Sequence, residues 1–211
     1  MTMAATNQDL RSFQHCRKDI DLVCFRLPTQ CPLCGQSTAT TESRIPPYVL
    51  PSPFVSSHTT PRTIVLKPTE GDFIRNYERT CDLHIGVTDS KGLVYDFDER
   101  GLNQGSVWPH CLVVWTHDQP AEWDQALSYI CGQPAWSARR YDEHGQNCFT
   151  FVLHFLSLLP TSQRAGVGHM TKEEFCDSFL VSRTKKAEQY IHLYRQALEA
   201  GCVVVPKSMH R

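Results

Sequence analysis

The chain predicts an α+β fold, an antiparallel sheet packed on a buried helix that starts near Cys148, with a small zinc-knuckle-like segment at the N-terminus. Three stretches carry this reading. Two short runs at 81–88 and 93–98, rich in Val, Ile, Tyr and Phe, flank a polar turn ending in Gly92, the pattern of a β-hairpin. A polar, glycine-bearing loop at 141–146 leads into an almost unbroken apolar segment from Cys148 to Leu159, which Pro160 stops. Near the start, Cys31-Pro32-Leu33-Cys34-Gly35 has the form of a metal-binding knuckle. The chain divides accordingly into a Cys/His segment at 1–36, a Pro/Ser/Thr-rich linker at 37–62 and an α+β domain at 63–206.

Composition narrows the partners. With 211 residues and 41% hydrophobic content there is material for one good-sized core and a small appended module. A net charge of −1, with no basic run beyond Arg183 to Lys186, argues against nucleic acid or an acidic membrane as the partner. No stretch approaches the ~20 apolar residues of a membrane span, and the polar start lacks a signal-peptide core. The expected location is cytoplasmic or nuclear. Ten cysteines there read as thiols, metal ligands or nucleophiles rather than disulfides.

In chain order, the knuckle comes first. The tight turn between Cys31 and Cys34 lets both thiolates meet one tetrahedral ion while backbone amides support the sulfurs. Cys16 gives a third ligand to one structural zinc, and the fourth is His15 or Cys24; adjacent side chains such as those of His15 and Cys16 ordinarily diverge. The prolines at 46, 47, 51, 53 and 61 make 37–62 an extended strap, in which His58 and the hydroxyls read as solvated. A short strand at 63–67 precedes the hairpin. Within the first hairpin strand, period two sets His84, Gly86 and Thr88 on the more polar face, and Gly86 leaves room beside His84 for a substrate or a second side chain. The chain stays β-like through Val107 and again at 111–115. An amphipathic helix at 120–131, opened by Pro120, follows. Trp115, Trp123 and Trp136 read as packing residues. After the central helix, Gly166 and Gly168 mark a mobile loop, a capping box at Thr171 and Glu174 begins a helix through Phe179, and a second helix at 183–200 buries Ala187, Ile191, Tyr194 and Leu198 before Gly201 ends it. A final strand is expected at 202–206.

Cys148 stands at the head of the central helix, where the first N–H groups lack intrahelical partners. The free amides and dipole there favour an anion, either a thiolate or a developing oxyanion. Against this stands the small buried hydrophobe that most free cysteines are. Cysteine–histidine catalysis needs an imidazole within hydrogen-bond reach of the thiol and a third group to hold the ring, and these need not be near in sequence.

The segments Leu83-His84-Ile85-Gly86-Val87, Val94-Tyr95-Asp96-Phe97, Tyr141 and Asn147-Cys148 resemble the circularly permuted papain-like fold, which includes the PPPDE isopeptidases and the lecithin–retinol acyltransferases. The resemblance covers about seventy residues and implies His84 as base and Cys148 as nucleophile. Asp96 falls where the acyltransferases carry a second histidine and would orient His84, with Tyr95 and Asp98 competing for that role. The Cys148 N–H, with Gln146 or Asn147, would hold the oxyanion. Over nearly the whole chain, the segments at 13–18, 31–34, 82–87, 94–95, 147–148 and 183–184 are similar to the makorin-2 opposite-strand protein family. The implied activity is that of a cysteine hydrolase or acyltransferase acting on an amide, isopeptide or thioester of a protein or acyl substrate. The competing reading is a non-catalytic papain-like adaptor with a zinc-stabilised N-terminus. Redox or metal sensing by the thiols is the weaker third, since no CxxC opens a helix.

Overall fold

A computed structural model describes residues 9–116, 122–160 and 166–207. In chain order these form β1 (Arg11–Gln14), β2 (Ile20–Cys24), β3 (Ile45–Val49), β4 (Thr63–Pro68), β5 (Leu83–Thr88), β6 (Val94–Asp98), β7 (Gly101–Ser106) and β8 (Leu112–Thr116). There follow α1 (Trp123–Cys131), α2 (Cys148–Leu158), α3 (Lys172–Phe175), a π-helical turn at Cys176–Leu180, α4 (Val181–Ala200) and β9 (Cys202–Pro206). The fold is α+β with two antiparallel sheets. Two compact units divide the chain: Met1–Pro53 with Glu188–Arg211, and Phe54–Ala187.

The first unit holds a sheet ordered β3-β1-β2-β9. Alternation along β2 sorts its core. Val23 joins Leu10, Ala197 and Val205, with Tyr190 and Leu193 of α4 packed beside them. Leu22 and Cys24 join Phe13 and the knuckle residue Cys31 on another cluster. Pro46 and Pro47 lie on the edge strand β3, whose register with β1 shifts between Ser12 and Gln14; an edge position suits residues that cannot donate to a ladder. The 37–62 stretch therefore contributes a strand, and β9 pairs with β2, so that Glu188 onward groups with this unit. On α4 the buried stripe runs through Ala187, Ile191 and Ala197, whereas Leu198, expected inside, is 63% exposed.

The second unit is built on the sheet β7-β6-β5-β4-β8. The turn between β5 and β6 is closed by Asp89, whose Oδ1 accepts from the N–H groups of Lys91 (2.8 Å) and Leu93 (2.9 Å). It ends at Gly92, with φ +78° and a position where a Cβ would lie 2.6 Å from the Ser57 carbonyl oxygen, so only glycine fits. Helix α2 packs on β5 and β6 and buries Phe149, Phe151, Val152, Phe155 and Leu156; Thr150 and His154, four residues apart, form its exposed stripe. Aromatic edges fix the layer: Phe97 meets Trp136 at 5.3 Å, Trp136 meets Phe151 at 5.1 Å, and Trp123 of α1 meets Phe155 at 4.7 Å between ring centroids. Trp115 stacks on Trp123 at 5.9 Å, so these tryptophans are packing residues. Pro120, expected to open α1, lies outside the described residues; α1 begins at Trp123.

Two further expectations change. Gly166 takes the left-handed conformation at the head of a 3-10 turn, Val167–His169. No helix break falls near 180, because nothing there is Gly or Pro, and the chain passes through the π-helical turn directly into α4.

Candidate functional site

In the second unit β5, β6 and the start of α2 bring His84, Asp96 and Cys148 together. His84 Nε2 lies 2.7 Å from Asp96 Oδ2, both nearly buried at 8% and 4% exposure. The Cys148 sulfur lies close enough to the His84 ring to influence its charge. A carboxylate accepts but does not donate, so His84 presents Nε2–H to Asp96, and Nδ1 is the ring nitrogen that the carboxylate does not engage. Burial pulls the imidazolium down, but the Asp96 carboxylate and the Cys148 sulfur outweigh it and push His84 up to about 9. Of the competing groups, Asp98 Oδ1 instead accepts from the Arg100 N–H at 2.8 Å, and Tyr95 lines a separate cavity with Asp89 and Asp124.

Asn103 completes the hold on Asp96. Its Nδ2 donates to Asp96 Oδ2 at 3.0 Å, and the two residues are direct partners in the β6–β7 ladder. The sequence reading missed Asn103, though it was accessible: Asp98 pairs with Gly101 across a two-residue turn, and counting back from there puts residue 103 opposite 96. Trp108 was missed as well. Its ring lies 5.7 Å from that of His84, and a Cβ on Gly86 would meet Trp108 Cη2 at 3.1 Å and Val94 Cγ1 at 2.7 Å. The space beside His84 is therefore occupied by a second side chain. Ser57, in the stretch read as solvated, is fully buried and its Oγ accepts from the Trp108 N–H at 3.0 Å, while Lys67 Nζ sits 4.8 Å above the Trp108 ring. These are contacts between distant segments and leave no local sequence signal.

The head of α2 is capped by Asn147. Its Oδ1 accepts from the N–H groups of Phe149 (3.0 Å) and Thr150 (3.3 Å), its own N–H donates to Thr150 Oγ1 (2.7 Å), and its Nδ2 donates to the Glu143 carbonyl (2.7 Å). This is a capping box, so the Asn147 side chain is committed to the helix. Gln146 Nε2 donates to the Ala135 carbonyl at 2.6 Å. Of the first-turn amides, the Cys148 N–H is the one without an acceptor among the described residues. Tyr141 closes one side, its ring 5.5 Å from that of Phe97 and its phenol pushed up by burial and by the Cys148 sulfur.

In the first unit His15, Cys16, Cys31 and Cys34 bring their ligand atoms within 4.8 Å of one another and could hold a metal ion. The Cys16 and Cys31 sulfurs are 4.0 Å apart, and Cys34 Sγ is 3.4 Å from His15 Nδ1. The adjacent residues His15 and Cys16 converge because β1 ends at Gln14 and the chain bends across both. Cys24, the other candidate for fourth ligand, is directed into the apolar cluster beside Phe13 and Leu22, against which Cys202 packs. Burial opposes charge on Cys31, but the Leu33 and Cys34 amides hold its thiol below the ordinary range, as expected of a knuckle. His15 Nε2 meets Thr41 Oγ1 at 2.6 Å, which leaves Nδ1 facing the cluster.

No helix among the described residues is long and apolar enough to cross a membrane. Residues 47–197 match the family described as DUF4796 C-terminal, and residues 8–37 match DUF4796 N-terminal. The chain is 30% identical over 210 residues to the MKRN2 opposite strand protein of Homo sapiens, an alignment covering 97% of this chain and 92% of that one. No solved structure matches it.

Proposed function

The chain belongs to the DUF4796 family, and from the groups gathered at the head of α2 we propose that it is a papain-like cysteine hydrolase or acyltransferase acting on an amide, isopeptide or thioester. One observation carries the reading: His84 is bonded to buried Asp96 and stands beside the Cys148 sulfur at the helix start, and both neighbours push the ring up. In this reading the proton of Cys148 already rests on His84 Nδ1, the charged ring being favoured by Asp96 and by the sulfur, and the Cys148 thiolate attacks the carbonyl carbon. The Cys148 N–H, left without an acceptor by the Asn147 cap, receives the oxyanion. His84 then protonates the leaving amine or thiol, and water or a second acceptor releases the acyl group from sulfur. Gln146 could add a second donor through the N–H that does not bind Ala135, and Asn147 contributes by shaping the helix start. The order of strand histidine, then helix cysteine, supports kinship with the permuted papain-like enzymes.

The donor set in the first unit supports a structural zinc. Three thiolates and one imidazole are a common zinc set, and a tetrahedron with arms of ~2.3 Å has edges of about 3.8 Å, close to the spacings seen. Thr41 would fix the His15 ring as an outer partner. We place the protein in the cytoplasm or nucleus, where such thiols stay reduced. Burial favours the second reading, a non-catalytic adaptor: Cys148 is 7% and His84 8% exposed.

Electrophilic probes of the ubiquitin, SUMO and long-chain acyl classes distinguish the two. The enzyme reading expects one probe class to form an adduct on Cys148, lost in Cys148→Ala and slowed roughly 10²-fold or more in His84→Ala. Labelling that ignores Cys148→Ala leaves the adaptor.

A further inference from the structure

We propose that Cys24 and Cys202 form a reversible disulfide, a thiol site separate from the Cys148 dyad and from the metal-ligand set. The two residues are direct partners in the antiparallel β2–β9 ladder and pack at the same apolar cluster. Access comes from one side: Cys202 is partly exposed and lines a cavity of about 340 Å³ with Phe25, Arg26, Pro28 and Ala197. Cys24 is fully buried. The setting is cationic. Arg11 is the ladder partner of Cys24 on its other side, so Arg11, Cys24 and Cys202 lie in line across β1, β2 and β9, and Arg26 stands at the cavity. Oxidation at the accessible Cys202 therefore places its sulfur directly across the ladder from a second thiol that can resolve it.

The geometry also sets the character of the bridge. Direct antiparallel partners have Cβ atoms about 4.5–5.5 Å apart, while an unstrained disulfide wants roughly 3.5–4.5 Å. The Lys207 N–H donates to the Asp19 carbonyl at 2.9 Å, so in this register Cys24 and Cys202 form a non-hydrogen-bonded pair, the kind whose side chains stand closest; the bond closes with a small approach of β9 to β2, and the opening at Cys202 admits a reductant. The oxidant is a peroxide. One sulfur attacks the O–O bond to give a sulfenic acid and one water, and the second sulfur displaces the other water; the two thiols lose two electrons and two protons, and hydrogen peroxide becomes two waters.

The test treats the full chain, purified with zinc present, with limiting hydrogen peroxide, caps remaining thiols, and maps linked peptides without reductant. The first bridge is expected to join the peptides of Cys24 and Cys202 and to reopen fully in dithiothreitol. In Cys202→Ala that linked species should vanish. A first bridge between any other pair, or both sulfurs still free at a dose that oxidises other cysteines, overturns the proposal. Because the decisive map is made on the unsubstituted chain, a variant that fails to fold does not obscure it.

Discussion

His84 draws its chemistry from two neighbours, and each can be removed separately. Burial alone would hold the imidazole below its ordinary 6.5; Asp96 and Cys148 lift it to about 9. Asp96→Asn and Cys148→Ala should each lower the midpoint of the His84 ring in an NMR pH titration, and the double variant should bring it below 6.5. A midpoint unmoved by Cys148→Ala would mean that thiol and ring do not interact in solution. The shift also makes stability depend on pH. The folded protein keeps on His84 a proton that the unfolded chain releases near 6.5, so its stabilisation is complete below that pH and is lost as pH rises through about 9. Denaturant midpoints should fall over that window in the wild type and less in Asp96→Asn. At this scale the sequence was readable where chemistry repeats locally. Cys31 and Cys34 are marked by the CxxC spacing, and Cys148 by the change from polar loop to apolar run. His15 was harder to choose over Cys24, because a bend of two residues reverses the usual divergence of neighbouring side chains.

At the scale of elements, α2 depends on one side chain at its start. Asn147 satisfies two first-turn amides, and Thr150 answers its N–H. Replacing such a cap by alanine costs about 1–2 kcal/mol, and Asn147→Ala also leaves the Glu143 carbonyl without its donor. Urea unfolding should show a loss in that range. Asn147→Asp, which still accepts from Phe149 and Thr150, should recover most of it; an Asp variant as unstable as Ala would deny that capping is the main role. The helix and its stop were legible because a polar cap, an apolar run and Pro160 agree. The same logic located the capping box at Thr171. It failed at β1 and β2, four and five residues long, where Arg11, Gln14 and Asp21 blur the alternation. It failed again on α4, where Ala197 faces the sheet in place of the larger Leu198.

For the whole chain, the feature least visible in the sequence is the return of β9 to β2. Its register, Ile20↔Pro206 through Cys24↔Cys202, joins residues at opposite ends of the chain, and a hydrophobic run such as Cys202–Pro206 carries no mark of which edge it will join. The consequence is that the N-terminal sheet has a small core of its own, between two apolar clusters and next to the metal-ligand set. A unit of this size gains much of its stability from a staple, and zinc bound only in the folded state supplies folding free energy directly. Protein purified without chelator should contain one zinc per chain, and Cys31→Ser should bring the ratio near zero. Chelation should speed amide hydrogen exchange in β1, β2 and β9 while α2, which belongs to the other unit, keeps its protection. Zinc near zero in unchelated protein would remove the metal. Exchange that rises equally in α2 and β2 would show instead that the metal supports both units as one cooperative structure.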